Sequence, residues 1–262
     1  MILRGDSSRR AFAGGAVIVA ALLGCASRER REDAIAAAVA RAERYLQARG
    51  PRIDPLMTYV LARLERRYGL AWTAEQRDGA LAAAAASPQL GLFRRLVDPQ
   101  ARPDPGALAT IENQSDRLIL SALYCRELGA PPAADLETFA RKPGADVAHG
   151  ALALQWLVEN GCLTREAAAP LRQLFVDELV TEIAQAPAVD VGIESTAMLE
   201  YVGAADRIQP AWVDAILAAQ HPDGGWGERP PDPSNDHTTT LALWVLLAQS
   251  GRPRVDVPWV PQ

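Results

Sequence analysis

The sequence predicts an all-α fold, and three observations carry that expectation. Apolar residues, Ala and Leu above all, dominate the chain, while the Val-, Ile- and Thr-rich alternating runs that mark strands are almost absent. Gly and Pro punctuate segments of roughly 9 to 20 residues, a normal helix length. Five of those segments finish on a glycine: Tyr68-Gly69, Leu128-Gly129, Asn160-Gly161, Val202-Gly203 and Ser250-Gly251. Glycine there suits the left-handed backbone that closes a helix.

Taken in order, helices are expected near 31–49, 54–68 (stopped by Gly69) and 74–86 (stopped by Ser87-Pro88). The stretch 87–114 is broken by Arg102-Pro103-Asp104-Pro105-Gly106 and leaves room for one short helix at 89–97. Further helices follow at 115–128, 133–141, 146–160, 164–185, 194–202, 209–221 and 237–249. The five closing glycines are 60, 32, 42 and 48 residues apart, a degenerate repeat of helical hairpins. Such hairpins stack as an open solenoid or close into an α/α toroid or near-closed arc, here spanning 34–262.

The first 24 residues have a different character. Arg4, Arg9 and Arg10 precede an apolar segment, Ala13 to Leu23. That segment is about a dozen residues long, whereas a membrane span needs about 20, so residues 1–24 read as a signal peptide rather than a span. Ser8-Arg9-Arg10-Ala11-Phe12 resembles a twin-arginine export signal, although Ala13 and Gly14 stand where that pattern prefers Leu and Lys. Leu22-Leu23-Gly24-Cys25 resembles a bacterial lipobox. The resemblance implies cleavage before Cys25 and lipid, palmitate included, on its thiol and amino group. Two or three acyl chains anchor a protein stably where one does not. Ala26 replaces the Asp that would signal inner-membrane retention, which points to the periplasmic face of the outer membrane. Residues 25–33 then form a lipidated tether.

Charge and cysteines narrow the function. Removing Arg4, Arg9, Arg10 and Asp6 with the signal takes the net charge from −5 to −7, which leaves no electrostatic footprint for nucleic acid. Cys125 and Cys162 would lie in an oxidising compartment. They read either as a disulfide or as two separate buried thiols.

Near the C-terminus stands Gln220-His221-Pro222-Asp223-Gly224-Gly225-Trp226-Gly227-Glu228, between a helix bearing Trp212 and one bearing Trp244. It resembles the glutamine-tryptophan repeat of the squalene cyclase and protein prenyltransferase superfamily over about residues 209–250. The resemblance implies an α/α toroid in which Gln220, Asp223, Gly224, Gly225 and Trp226 are structural staples. It does not carry the family's chemistry over. No Asp-rich D-x-D-D run occurs, and although Asp236-His237 resembles a zinc-binding position, Asp190 has no cysteine two residues later.

Of the three histidines, His149 and His237 open helices in similar settings, Asp146-Val147-Ala148-His149 and Asn235-Asp236-His237. In a closed ring the His149/Asp146 and His237/Asp236 pairs would meet at one rim. Imidazole with carboxylate is a donor set for a divalent metal and equally for general-base work. Each Asp also reads as an ordinary helix cap. Two functions are expected from this: a scaffold or binder of an apolar or peptide-like ligand, or a metal-assisted hydrolase or lyase at the cavity rim.

Overall fold

The computed structural model describes residues 13–70 and 72–261, with side chains described from Glu29 onward except at 51, 88 and 89. Among these residues the secondary structure is helical throughout, as the composition requires, apart from one isolated bridge between Trp226 and Asn235. In chain order the helices are α1 (Ala13–Arg49), α2 (Pro55–Tyr68), α3 (Ala74–Ala85), α4 (Pro88–Gly91), α5 (Pro105–Ala109), α6 (Gln114–Leu123) and α7 (Cys125–Leu128). They continue with α8 (Ala133–Ala140), α9 (Ala145–Glu159), α10 (Arg165–Gln185), α11 (Asp190–Tyr201), α12 (Pro210–Ala218) and α13 (Asp236–Gln249).

Local chemistry sets these boundaries. Asp54, Thr73, Asp104, Asn113, Thr164 and Asn235 each accept a backbone N–H of the helix they open, relieving donors that have no intrahelical partner. At the other ends Gly69, Gly129, Gly161, Gly203 and Gly251 all have positive φ, between 66° and 84°.

Four boundaries differ from expectation. The expected helix at 115–128 breaks at Tyr124, whose buried hydroxyl donates to the Leu92 carbonyl at 2.7 Å and fixes the turn between α6 and α7. A short helix, α5, lies inside the Pro-rich stretch because Asp104 caps it. Helix α11 begins at Asp190, where the Glu228 carbonyl takes the Asp190 amide at 2.8 Å. Helix α1 starts at Ala13 and runs without a break through the segment expected as a tether. Arg31 on it donates to the Pro210 carbonyl and lies 3.1 Å from Asp214, joining α1 to α12. The twin-arginine segment at 8–12 and the Cys25 side chain lie outside what is described. Among the described residues no helix is long and apolar enough to cross a membrane.

Helices α2, α6, α9, α11 and α13 form the inner set. Each packs on the next: α6 on α9, α9 on α11, α11 on α13 and α13 on α2, with the 3-10 turn Leu92–Leu96 bridging α2 back to α6. Helices α1, α3, α8, α10 and α12 pack outside them. Burial follows that division. From Thr238 to Leu247 every residue of α13 is buried, and so is every residue of α11 from Gly192 to Tyr201, whereas α3 buries only Ala80 and Ala84. A helix apolar on all sides has to be surrounded by protein.

The N-terminal turns of the inner helices are linked side by side. The Ser115 hydroxyl donates to Asp146 (α6 to α9), and His149 pairs with Glu194 (α9 to α11). Thr238 donates to Asp190 at 2.5 Å (α11 to α13), and the Asp54 amide donates to Asp236 at 2.9 Å (α2 to α13). All five inner helices therefore start at the same end. Cys125 and Cys162 are joined in a disulfide that ties α7 to the turn after α9, which decides between the two readings of these residues.

Candidate functional site

The Gln220–Trp226 segment joins α12 to α13 and fastens both to α1. Gln220 Oε1 accepts from the Arg41 guanidinium, with Nε at 2.8 Å, and its Nε2 donates to the Ala38 and Gly224 carbonyls at 2.9 Å each. Asp223 takes the Gly225 amide and the Ser234 hydroxyl. Trp226 is 1% exposed; its indole N–H donates to the Ile216 carbonyl at 2.8 Å and its amide to Thr239 Oγ1. Gly224 has φ +94°, and a Cβ there would sit 2.5 Å from the Arg41 carbonyl oxygen, so only glycine lets the loop lie against α1. Each of these groups holds backbone or side chains of the fold. His221, the third histidine, bonds Ser234 within the same loop.

Between the inner helices lies a cavity of about 200 Å³. Helical spacing builds its wall in layers. His149, Leu152 and Trp156 project from α9, Glu194 and Met198 from α11, and His237, Leu241 and Trp244 from α13. Asp116 and Ile119 come from α6, and Leu56, Met57 and Val60 from α2. Because the helices start at one end, Asp116, His149, Glu194 and His237 gather at one polar rim, and the later turns make an apolar body. No lysine or arginine lines it.

His149 and His237 thus face one cavity, as expected, but the expected carboxylates do not accompany them. Asp146 is engaged by Ser115 and lies 3.8 Å from Lys142 Nζ. Asp236 is 6% exposed, bound by Arg49 Nε at 2.9 Å and by the Asp54 amide. The partners are Glu194, 3.2 Å from His149 Nε2, and Asp190, 3.1 Å from His237 Nδ1, both on α11. Glu194 appears in the sequence only as part of a buried inner helix. A carboxylate on a helix surrounded by protein needs a partner, and that was its signal. Asp190 stands out in the sequence only as an Asp without a following Cys.

The pairing governs protonation. Burial pulls both imidazoles down, but the opposing effects win. For His149 these are the hydrogen bond and charge of Glu194 with the charge of Asp116. For His237 they are the hydrogen bond and charge of Asp190 with the charges of Glu194 and Asp54. Both histidines therefore titrate above the usual range near 6.5. Burial raises Asp190, and the His237 contact, Thr238 and His149 outweigh it, so its carboxyl ends below its ordinary value. His237 is 40% exposed and His149 27%, which leaves the rim open to solvent.

One nitrogen of each ring, His149 Nε2 and His237 Nδ1, is engaged by its own carboxylate, while His149 Nδ1 is buried without a hydrogen-bond partner; among the described residues no three His, Cys, Asp or Glu side chains gather as a metal-holding group.

At the opposite end the C-terminal tail crosses the inner helices. The Val255 amide donates to the Arg67 carbonyl at the end of α2, and the Val260 amide to Glu159 at the end of α9, at 2.8 Å. The Arg63 guanidinium donates to the Pro258 carbonyl. This seats Trp259, 3% exposed, against the cavity with its ring stacked on Trp244 at 4.2 Å. Sequence reasoning had no signal for Trp259, which belongs to no helix. The chain matches no protein-family model, no curated protein and no solved structure.

Proposed function

We propose that this chain is a lipid-anchored cell-envelope binding protein of α/α-toroid architecture that holds a small, mostly apolar ligand in its central cavity. The observation that carries the reading is the cavity of about 200 Å³, apolar along its length and polar only at one rim. A concave apolar pocket with a few convergent polar groups is the usual form of a small-molecule site. The unbroken succession of inner helices and the bonds made by Gln220 and Trp226 support kinship with the squalene cyclase and prenyltransferase architecture. Cys25 lies ten residues before Ile35, the first described side chain in the core, or about 15 Å along α1. A lipid on Cys25 would hold the cavity close to the membrane, where apolar ligands concentrate.

The test is a titration with neutral aromatics of increasing size, read by the fluorescence of Trp156, Trp244 and Trp259. Saturable binding that Ile119→Trp abolishes by filling the cavity supports the reading; no saturable response to any member of the series sinks it.

A second reading rests on the two imidazole–carboxylate pairs that face the same space. Their geometry suits one histidine as acid and the other as base in a hydrolase or lyase reaction at the rim. His149→Gln and His237→Gln separate the two readings. A binder keeps its ligand affinity within a few-fold, whereas an acid–base enzyme loses turnover by about 10²–10⁴-fold.

A further inference from the structure

Two buried indole N–H groups of this chain meet an acceptor: Trp226 at the Ile216 carbonyl and Trp244 at Glu200, 3.0 Å away. Trp156 and Trp259 do not: each Nε1 is buried with no hydrogen-bond partner among the described residues, and both residues line the cavity. Trp259 is the one that the tail brings in at the end away from the rim. Nearby carboxylates are already engaged. Glu159 takes the Val260 amide and the Tyr201 hydroxyl, and Glu200 takes Trp244 and Arg254. The ring is held by stacking on Trp244 and by Tyr201, 5.2 Å away between centroids. A buried donor without an acceptor is costly, and a ligand that brings one removes the cost.

We infer that Trp259 sets the chemistry of the ligand: an apolar molecule carrying a neutral oxygen acceptor, a carbonyl or an ether, at its inner end. The inference rests on the proposal that the cavity is a binding site. A neutral oxygen fits better than a carboxylate, because an anion there would be buried in an apolar wall without a cation.

The experiment compares ethylbenzene with acetophenone, which share a carbon skeleton and differ by one carbonyl oxygen. Binding to the full chain is measured by calorimetry, alongside Trp259→Phe and Trp244→Phe. Acetophenone is expected to bind about tenfold tighter, the scale of one recovered hydrogen bond. Trp259→Phe should bring the two probes to near parity, while Trp244→Phe, whose N–H already has its acceptor, keeps the ratio. If Trp259→Phe does not fold, the wild-type indole N–H resonance of Trp259 replaces it. That resonance should shift downfield with acetophenone and not with ethylbenzene. Equal binding of both probes, a preference that survives Trp259→Phe, or an unmoved resonance overturns the inference and leaves the cavity reading standing. Binding of neither probe overturns both.

Discussion

Asp190 and Glu194 stand four residues apart on α11, and each holds an imidazole from a different neighbouring helix. Glu194 binds His149 of α9 on one side, and Asp190 binds His237 of α13 on the other. One helix therefore sets the orientation and the charge of both histidines at the rim.

Replacing Glu194 with Gln should lower the titration point of His149, because burial then acts on it with only the charge of Asp116 in opposition. Since both histidines are raised in the folded state, the folded chain binds more protons than the unfolded one just above pH 6.5. The stability from these pairs is full below that pH and is lost as pH rises through the folded values. Imidazole resonances followed from pH 5 to 9, with melting curves over the same range, check both statements. A His149 titration unchanged in Glu194→Gln would remove the pair.

Trp226→Ala removes a buried ring and its bond to Ile216. The expected cost is about 3–5 kcal/mol out of a typical 5–15. Chemical denaturation measures it, and a loss under about 1 kcal/mol would mean that the ring contributes little packing.

Gly224→Ala and Gly251→Ala form a matched pair. Both glycines have positive φ, but a Cβ at Gly251 meets nothing within 4 Å, whereas at Gly224 it meets the α1 backbone. Gly251→Ala should cost about 1 kcal/mol from backbone conformation alone. Gly224→Ala should cost about 3 kcal/mol or more, since the carbonyl it strikes cannot rotate away. Equal costs would show that α1 does not press on the loop.

Cys125 and Cys162 close a loop across a separation of 37 residues. Loop-closure entropy puts the stabilisation at about 4 kcal/mol. Reduction, or the double Cys125→Ala/Cys162→Ala change, should lower the denaturation midpoint accordingly. An untouched midpoint on reduction would contradict the bond.

Cys25→Ala should abolish incorporation of labelled palmitate in a bacterial host and leave the precursor uncleaved. Labelling at the wild-type level in this variant would exclude the lipobox.

Much of this molecule was legible in the sequence because the causes are local. Helix content follows from composition, helix ends from Asp, Thr and Asn caps and from five glycines whose φ is positive, and the staple from Gln220 and Trp226. The two histidines were legible too, as polar residues opening apolar helices. Their partners were not. Neighbours in sequence on a helix point about 100° apart, so Asp236 faces Arg49 while His237 faces the cavity. Asp146, one turn before His149, has the right spacing but is taken by Ser115 from another helix. Which carboxylate meets which imidazole, and that Trp259 from the tail enters the wall, depends on how the inner helices pack side by side. That packing is settled by burial of faces from segments tens of residues apart, which local sequence does not encode.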